Sequence, residues 1–293
     1  MNIPSVEEQA ALWGERLAAA GIPPDGLMSH SQVGARMVPG DDDSSRLGGA
    51  PRMPAGWSWP AWHGRPLQYL AEIDLDGLAR VLSEDQRHGL PAGGALHLFA
   101  DALGEGWGFD PEHAGSFAAF LVADRVEVQR FETPSDVRDP DGYELELELP
   151  ERPVELVPEL VLPDCFSDET RSLAGPDQFD SYWDVRDDVL DEIFHRAPRH
   201  RVCGLPDIMQ NPMELECQLA SEGVYVGGPT GYQTPRAHEL APGAKDWRLL
   251  AQIDSDDDLG LMWGDAGRVY WWLREADFRQ GRPERCWGIL QCS

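Results

Sequence analysis

The chain has 293 residues, enough for one large domain or two fused smaller ones around a sizeable core. It carries 52 acids against 24 bases, a net charge of −28, and its single lysine is Lys245. A field of that sign repels nucleic acid and anionic membranes, no basic patch is interleaved with aromatics, and no apolar run approaches the roughly 18–20 residues that cross a bilayer, so no nucleic acid and no membrane are expected as partners.

The N-terminus has acids and no basic region ahead of an apolar stretch, which argues against a secretory signal and for a cytoplasmic, soluble protein. Cys165, Cys203, Cys217, Cys286 and Cys292 are odd in number and lack C-x-x-C spacing. They read as reduced, buried thiols and not as a disulfide framework or zinc site.

Ser5-Val6-Glu7-Glu8 is a capping box ahead of a helical stripe of Val6, Ala10, Trp13, Leu17 and Ala20. Residues 22–47 read as a polar connection, and 48–60, rich in Gly, Pro and Trp, as an irregular loop held by packing. Strands are expected at 67–75, 95–99 and 119–128, with a short helix over 76–88. In Tyr143–Leu149 apolar and acidic residues alternate strictly, predicting a half-buried antiparallel strand. Residues 153–163 are extended, 177–197 helical up to Pro198, and 200–210 a loop. Residues 249–273 read as strand, acidic turn, strand, and 285–292 as a closing strand.

Three features recur in order. Gly48-Gly49-Ala50-Pro51 is echoed by Gly227-Gly228-Pro229, Tyr69–Asp74 by Leu249–Asp254, and Gly94–Phe99 by Gly267–Trp272. The expected fold is α+β and β-rich: two related antiparallel or mixed-sheet halves from an internal duplication, with flanking helices. The division is 1–45 for an N-terminal helix and acidic linker, 46–165 for the first repeat and 166–293 for the second. The two Ile-Asp strand ends, at Asp74 and Asp254, are expected to face each other across a shared seam.

Gly-Gly-x-Pro with Trp59-Pro60, the Leu70–Asp74 strand, His200–Gln210 and the stretch from Leu249 through Met262-Trp263-Gly264-Asp265 to Tyr270 resemble the YwqG-like bacterial family, a domain of unknown function. The resemblance covers roughly residues 46–292 and implies a duplicated, β-rich α+β fold without an established activity. Its members are discussed near toxin and antitoxin genes, which implies a protein-recognition context. Glu72 stands where that family usually has Gln, as Gln252 does.

Chemistry has two candidate places. Asp254, Asp256, Asp258 and Asp265 fall at positions 1, 3, 5 and 12 of a calcium-loop register, with the glycine one place late at Gly260. The plainer reading is a solvated β-turn whose acids bond backbone amides. The second is a cleft between the halves, walled by Trp57, Trp59, Trp263, Tyr270 and Trp271 with Asp74, Asp254 and Asp265 as polar groups, suited to a small polar or cationic ligand. The plainer reading places the tryptophans in the core. Glu192-x-x-His195 is a single copy on one helix, His200 near Cys203 is only a sequence neighbour, and no phosphate-binding glycine loop is present.

These readings favour a non-catalytic binding protein with no cofactor beyond Ca, recognising a basic protein partner or a small ligand. The alternative is a hydrolase-like enzyme using Asp254 and Asp265.

Overall fold

The computed structural model describes residues 3–41, 44–173 and 178–292. Ser5 caps α1 (Val6–Ala19): its hydroxyl accepts the Glu8 amide at 3.3 Å while the Glu8 carboxylate accepts the Ser5 amide at 2.8 Å. Trp13 and Leu17 are buried as the stripe requires. Gln9 is buried too, because its amide donates to Pro158 and accepts from Leu160, docking the helix on a strand.

The expected polar connection instead holds α2 (Pro24–Ser29), β1 (Gln32–Pro39) and β2 (Ser45–Leu47). β1 escapes notice because Arg36 interrupts its apolar run, yet Arg36 is 1% exposed and paired with Glu159. After β3 (Arg52–Pro54), β4 (Ala61–Trp62) and β5 (Arg65–Pro66) come β6 (Gln68–Asp74), α3 (Leu75–Val81), β7 (Ala95–Ala100), β8 (Phe117–Val122) and β9 (Val128–Arg130). Tyr143–Leu149 is no strand of the sheet; Glu144 makes an isolated antiparallel bridge to Arg138. Leu147 and Leu149 are buried and Glu144, Glu146 and Glu148 exposed, as the alternation demands, but the segment lies beside the sheet on bonds such as Gly49 N to Leu149 O.

β10 (Arg152–Val161) is followed by α4 (Asp168–Leu173), α5 (Phe179–Phe194) and β11 (Arg201–Val202). The expected start of the long helix, Asp177, lies outside the described residues. Its end comes at His195, in the left-handed region at φ 53°, before Pro198 is reached. Then follow α6 (Glu214–Ser221), α7 (Pro229–Tyr232), α8 (Pro235–Leu240), β12 (Trp247–Asp254), β13 (Arg268–Arg274), α9 (Glu275–Arg279) and β14 (Trp287–Gln291).

The fold is α+β and strand-rich. Ten strands form one sheet in the order β14-β13-β12-β11-β1-β10-β2-β6-β7-β8, with antiparallel neighbours throughout. Each contributes to a single apolar cluster, from Ala35 of β1 to Leu290 of β14, so the sheet curls around its own inner face. Its two edges meet: Phe117 of β8 packs edge-on to Trp271 of β13 at 5.4 Å, and a Cβ on Gly288 of β14 would lie 1.9 Å from the Phe117 ring. The loop at 107–108 bridges them, Trp107 O accepting from Leu290 N and Gly108 O from the Trp287 indole. On the outer face, α1, α2 and α5 cover the centre, α6 and α8 cover β12–β14, and the tryptophan loop covers β6–β7.

Outward from the central β1–β10 pair the ladder reads alike in both directions. β12 pairs with β13 through a register shift between Leu249 and Ala251, and β6 with β7 through one between Tyr69 and Ala71. β1 pairs with β11, and β10 with β2, so each central strand lies against the second strand of the other half. A chain severed within residues 131–150 would therefore leave each fragment without a central neighbour. Neither fragment alone is expected to unfold cooperatively, while the mixed pair regains one transition. Two independent transitions in calorimetry would contradict this.

Candidate functional site

The outer face carries a row of polar side chains where a sheet of this type usually carries apolar ones. Cross-strand pairing sets Tyr270, Gln252, Arg201 and Arg36 side by side on β13, β12, β11 and β1. Asp207, from the loop after β11, descends onto the row. Its carboxylate takes Arg201 at 2.6 Å, the Gln252 amide at 2.7 Å and Arg186 of α5. Its backbone N–H donates to Gln252 at 3.0 Å, and its carbonyl accepts from Arg268 and the Tyr270 hydroxyl at 2.7 and 2.6 Å. Burial alone would raise this carboxyl, but Arg201, Arg186, Arg199 and Arg268 outweigh it and hold Asp207 well below the usual range.

The network extends both ways. Glu159 of β10 pairs with Arg201 at 2.8 Å and Arg36 at 3.2 Å, joining it to the central strands. Asp164 meets Arg186 at 3.1 Å, and burial pushes its carboxyl up despite that neighbour. With its oxygens occupied, Asp207 is an anchor for the 203–210 loop and not a base.

Where Arg201 stands in β11, Arg46 stands in β2. Arg46 pairs across the ladder with Glu72 as Arg201 does with Gln252. Both arginines are followed by a double left-handed turn: Gly48 and Gly49 at φ 66° and 69°, Cys203 and Gly204 at 57° and 76°. Pro51 and Pro206 then occupy matching places, followed by Arg52 and Asp207. Glu72 accepts from Arg46 and, at 2.8 Å, from Arg52. Gly227-Gly228-Pro229, the expected counterpart of the first turn, instead opens α7.

The network backs a cleft of about 450 Å³. The 204–208 loop makes one wall, Trp247 and Leu249 of β12 and Trp272 of β13 another, and Pro163, Asp164 and Ser167 a third; His30, Lys245 and Arg248 also contribute. The Trp247 indole donates to Gln218 at 2.9 Å. The Trp272 indole N–H is buried and has no acceptor among the described residues. Trp13, Trp57, Trp263 and Trp271 share that deficiency, but none of them lines this cleft.

The residues expected around an interhalf cleft are dispersed. Trp57 and Trp59 pack on each other and on Phe99, with centroids 5.6–5.7 Å apart. Trp263 and Trp271 lie in the inner core, while Tyr270 faces outward to Asp207. β6 and β12 lie five antiparallel steps apart and so run oppositely, which puts Asp74 and Asp254 at opposite ends of the sheet. Asp74 caps α3, and lines a 300 Å³ cavity with Arg52 and Glu72. Asp254 pairs with Arg268 at 2.9 Å and lines another, of about 530 Å³. In the acidic turn, Asp256 accepts from His200 at 3.2 Å, Asp258 pairs with Arg152 at 3.0 Å and Asp265 is exposed. The His200 bond foremost holds the Asp256 carboxyl below its ordinary value. Among the described residues, no group of three or more His, Cys, Asp or Glu side chains gathers to hold a metal.

A model of a domain of unknown function, DUF1963, matches residues 45–292. The chain belongs to the DUF1963 family. No curated protein matches it. The DUF1963 match takes in the Asp207 network except Arg36, and all of the cleft except its edge at His30 and Gln32. Among the described residues no helix is long and apolar enough to cross a membrane.

The sequence reading missed Asp207, Arg201, Glu159 and Trp272. A usable signal was present: arginine, an aliphatic residue, then glycine and proline two apart, at 46–51 and again at 201–206. Asp207→Asn is expected to cost about 3–5 kcal/mol of folding stability, because it leaves buried guanidinium charge uncompensated. Urea unfolding measures it, and a loss under about 1 kcal/mol would mean the network is not closed on Asp207.

Proposed function

We propose that this protein is a non-catalytic binding module whose site is the cleft beside Trp272. The observation that supports it most is the Trp272 indole: a buried donor on an apolar wall, lacking an acceptor, costs stability unless something else supplies one. Recessed surfaces with few, fixed polar groups are where small molecules bind. A thermal-shift screen of small metabolites should yield compounds that raise the melting temperature by about 2 °C or more. Leu205→Trp, which fills the cleft from its loop, should keep the fold and lose every such response. Equal responses in the plugged variant would place the ligands elsewhere.

We also propose that the scaffold is an internal duplication, as the YwqG-like resemblance implies, with units starting at β1 and β10 and not at residues 46 and 166. The matched left-handed turns and register shifts support it. An experimental structure in which Arg46–Pro51 and Arg201–Pro206 follow different backbone paths would remove it.

A second reading is a basic protein partner, in keeping with a bacterial toxin context and a cytoplasmic setting. Exposed Phe179 and Trp183 of α5 lie among the exposed acids Asp180, Asp184 and Asp188, a surface suited to lysine and arginine side chains. Partners captured on immobilised protein at low salt should be released as salt screens the field, and Trp183→Ala should weaken capture. Capture indifferent to both argues against it.

A further inference from the structure

We infer that residues 227–246 form a pH-released cap on α6, held shut while Glu216 is protonated and loosened when it ionises. Buried carboxyls elsewhere in the chain are answered by arginine: Glu72, Asp101, Glu159, Asp164, Asp207 and Asp277 each face one. Glu216 of α6 is buried too, yet no cation pairs with it among the described residues. One of its oxygens accepts the Tyr232 hydroxyl of α7 at 3.1 Å, and the other is buried without a partner. An ionised carboxylate in that place has lost its water and gained one hydrogen bond, which does not repay the loss. The segment over it is lightly held. α8 and the turn Ala241–Asp246 pack along α6, with Tyr232, Ala237 and Leu240 against the apolar cluster of α6, β12 and β14. Within 227–246 only Gly231 and Ala237 are buried, so the segment can open without the sheet.

Burial pushes the Glu216 carboxyl up to about 7 from an ordinary 4.5; Glu214 on the same helix adds to the push, and the Tyr232 bond opposes it. The charged groups on the neighbouring elements are engaged elsewhere or face water. Arg236 and Glu239 of α8 pair with each other at 3.5 Å, Arg248 of β12 with Glu275 at 3.2 Å, and Arg274 of β13 with Glu222 at 2.7 Å. His238, Lys245 and Asp246 are exposed, and β14 carries no charged residue. When the cap lifts, water reaches the carboxyl and its ordinary value returns. Opening therefore releases a proton between about pH 4.5 and about pH 7. Closure is at full strength below that window, weakens by nearly tenfold per pH unit through it, and levels off above it. Ala244 and Lys245 of the cap also line the cleft, so loosening frees that wall, and the device holds whether or not the cleft takes a ligand.

Hydrogen exchange on the full chain tests this, read as protection factors so that the intrinsic pH dependence of exchange divides out. Amides of 229–246 should lose protection by roughly 40-fold between about pH 5 and pH 7, while those of β12 and β13 keep theirs. Glu216→Gln preserves the size of the side chain and cannot ionise, so the cap should hold one level of protection across the range. Tyr232→Phe deletes the bond that favours the ionised form, so the midpoint of the loss should move to higher pH. A response below about threefold in the parent chain, or an equal response in Glu216→Gln, overturns the inference. So does a midpoint that Tyr232→Phe leaves in place, which would assign the titration to another group. Protection lost equally from β12 and β13 overturns it as well, since the opening would then be of the sheet and not of the cap.

Discussion

The outer face of this sheet depends on one carboxylate placed where water cannot reach it. An isolated buried charge costs far more than the whole stability of a domain, so Asp207 persists only because its neighbours answer it atom by atom. Arg201 and Arg186 neutralise it, the Gln252 amide fills a remaining acceptor site, and its own amide and carbonyl are spoken for by Gln252, Arg268 and Tyr270. The consequence is mechanical. A loop that would otherwise lie loosely on the sheet is fixed to three strands and a helix, and that loop is a wall of the cleft. Through Glu159 the same network reaches the central strands, so the charged outer layer ties together β1 and β10–β13 while the apolar inner cluster holds all ten strands from the other side.

The first half meets the same requirement with the charges exchanged. There the carboxylate sits on the strand, at Glu72, and the loop brings an arginine, Arg52; in the second half the loop brings Asp207 and the strand keeps a neutral amide, Gln252. Either arrangement ties the loop to the strand. Glu72 and Gln252 thus hold the same kind of strand-to-loop contact, with the acid on the strand in one and on the loop in the other. This arrangement also fixes the state of His97, which lies across the ladder from Glu72. Burial, with Arg46 and Arg52 nearby, pushes its imidazole down to about 3, so it stays neutral at physiological pH and accepts or donates only as a neutral ring beside Tyr69.

What the sequence made legible was local. The Ser5–Glu8 box and the strand-turn-strand around Asp254 follow from spacing within a few residues, and four of the five expected buried thiols are buried, Cys286 being half-buried. What it hid was non-local. β1 was obscured by an arginine whose partner, Glu159, lies 123 residues away. Tyr143–Leu149 has the right alternation but no free strand to pair with, and alternation reports burial on one side, not membership of a ladder. The echo expected at Gly227-Gly228-Pro229 was a match of residue identity, and that segment opens a helix. The likeness that the two turns do share is conformational: two successive left-handed residues, one of them the non-glycine Cys203 in the second turn, with a proline two places on. A cysteine at φ 57° is costly enough that glycine spacing alone would not point to it.

The acidic turn shows how the same physics settles the fate of a charge cluster. Carboxylates converge on a shared cation when nothing else compensates them. Here Asp254, Asp256 and Asp258 are each met by a different group, Arg268 of β13, His200 just ahead of β11 and Arg152 of β10. His200 is oriented for this, because its Nδ1 accepts the Asp254 amide at 3.1 Å and so leaves the Nε2 proton to face Asp256. Each pairing turns one acid toward a separate element, and the turn thereby joins the β12–β13 hairpin to the centre of the sheet. In a chain this acidic, with one lysine in all, arginines placed against particular carboxylates do much of the work of holding strands in register.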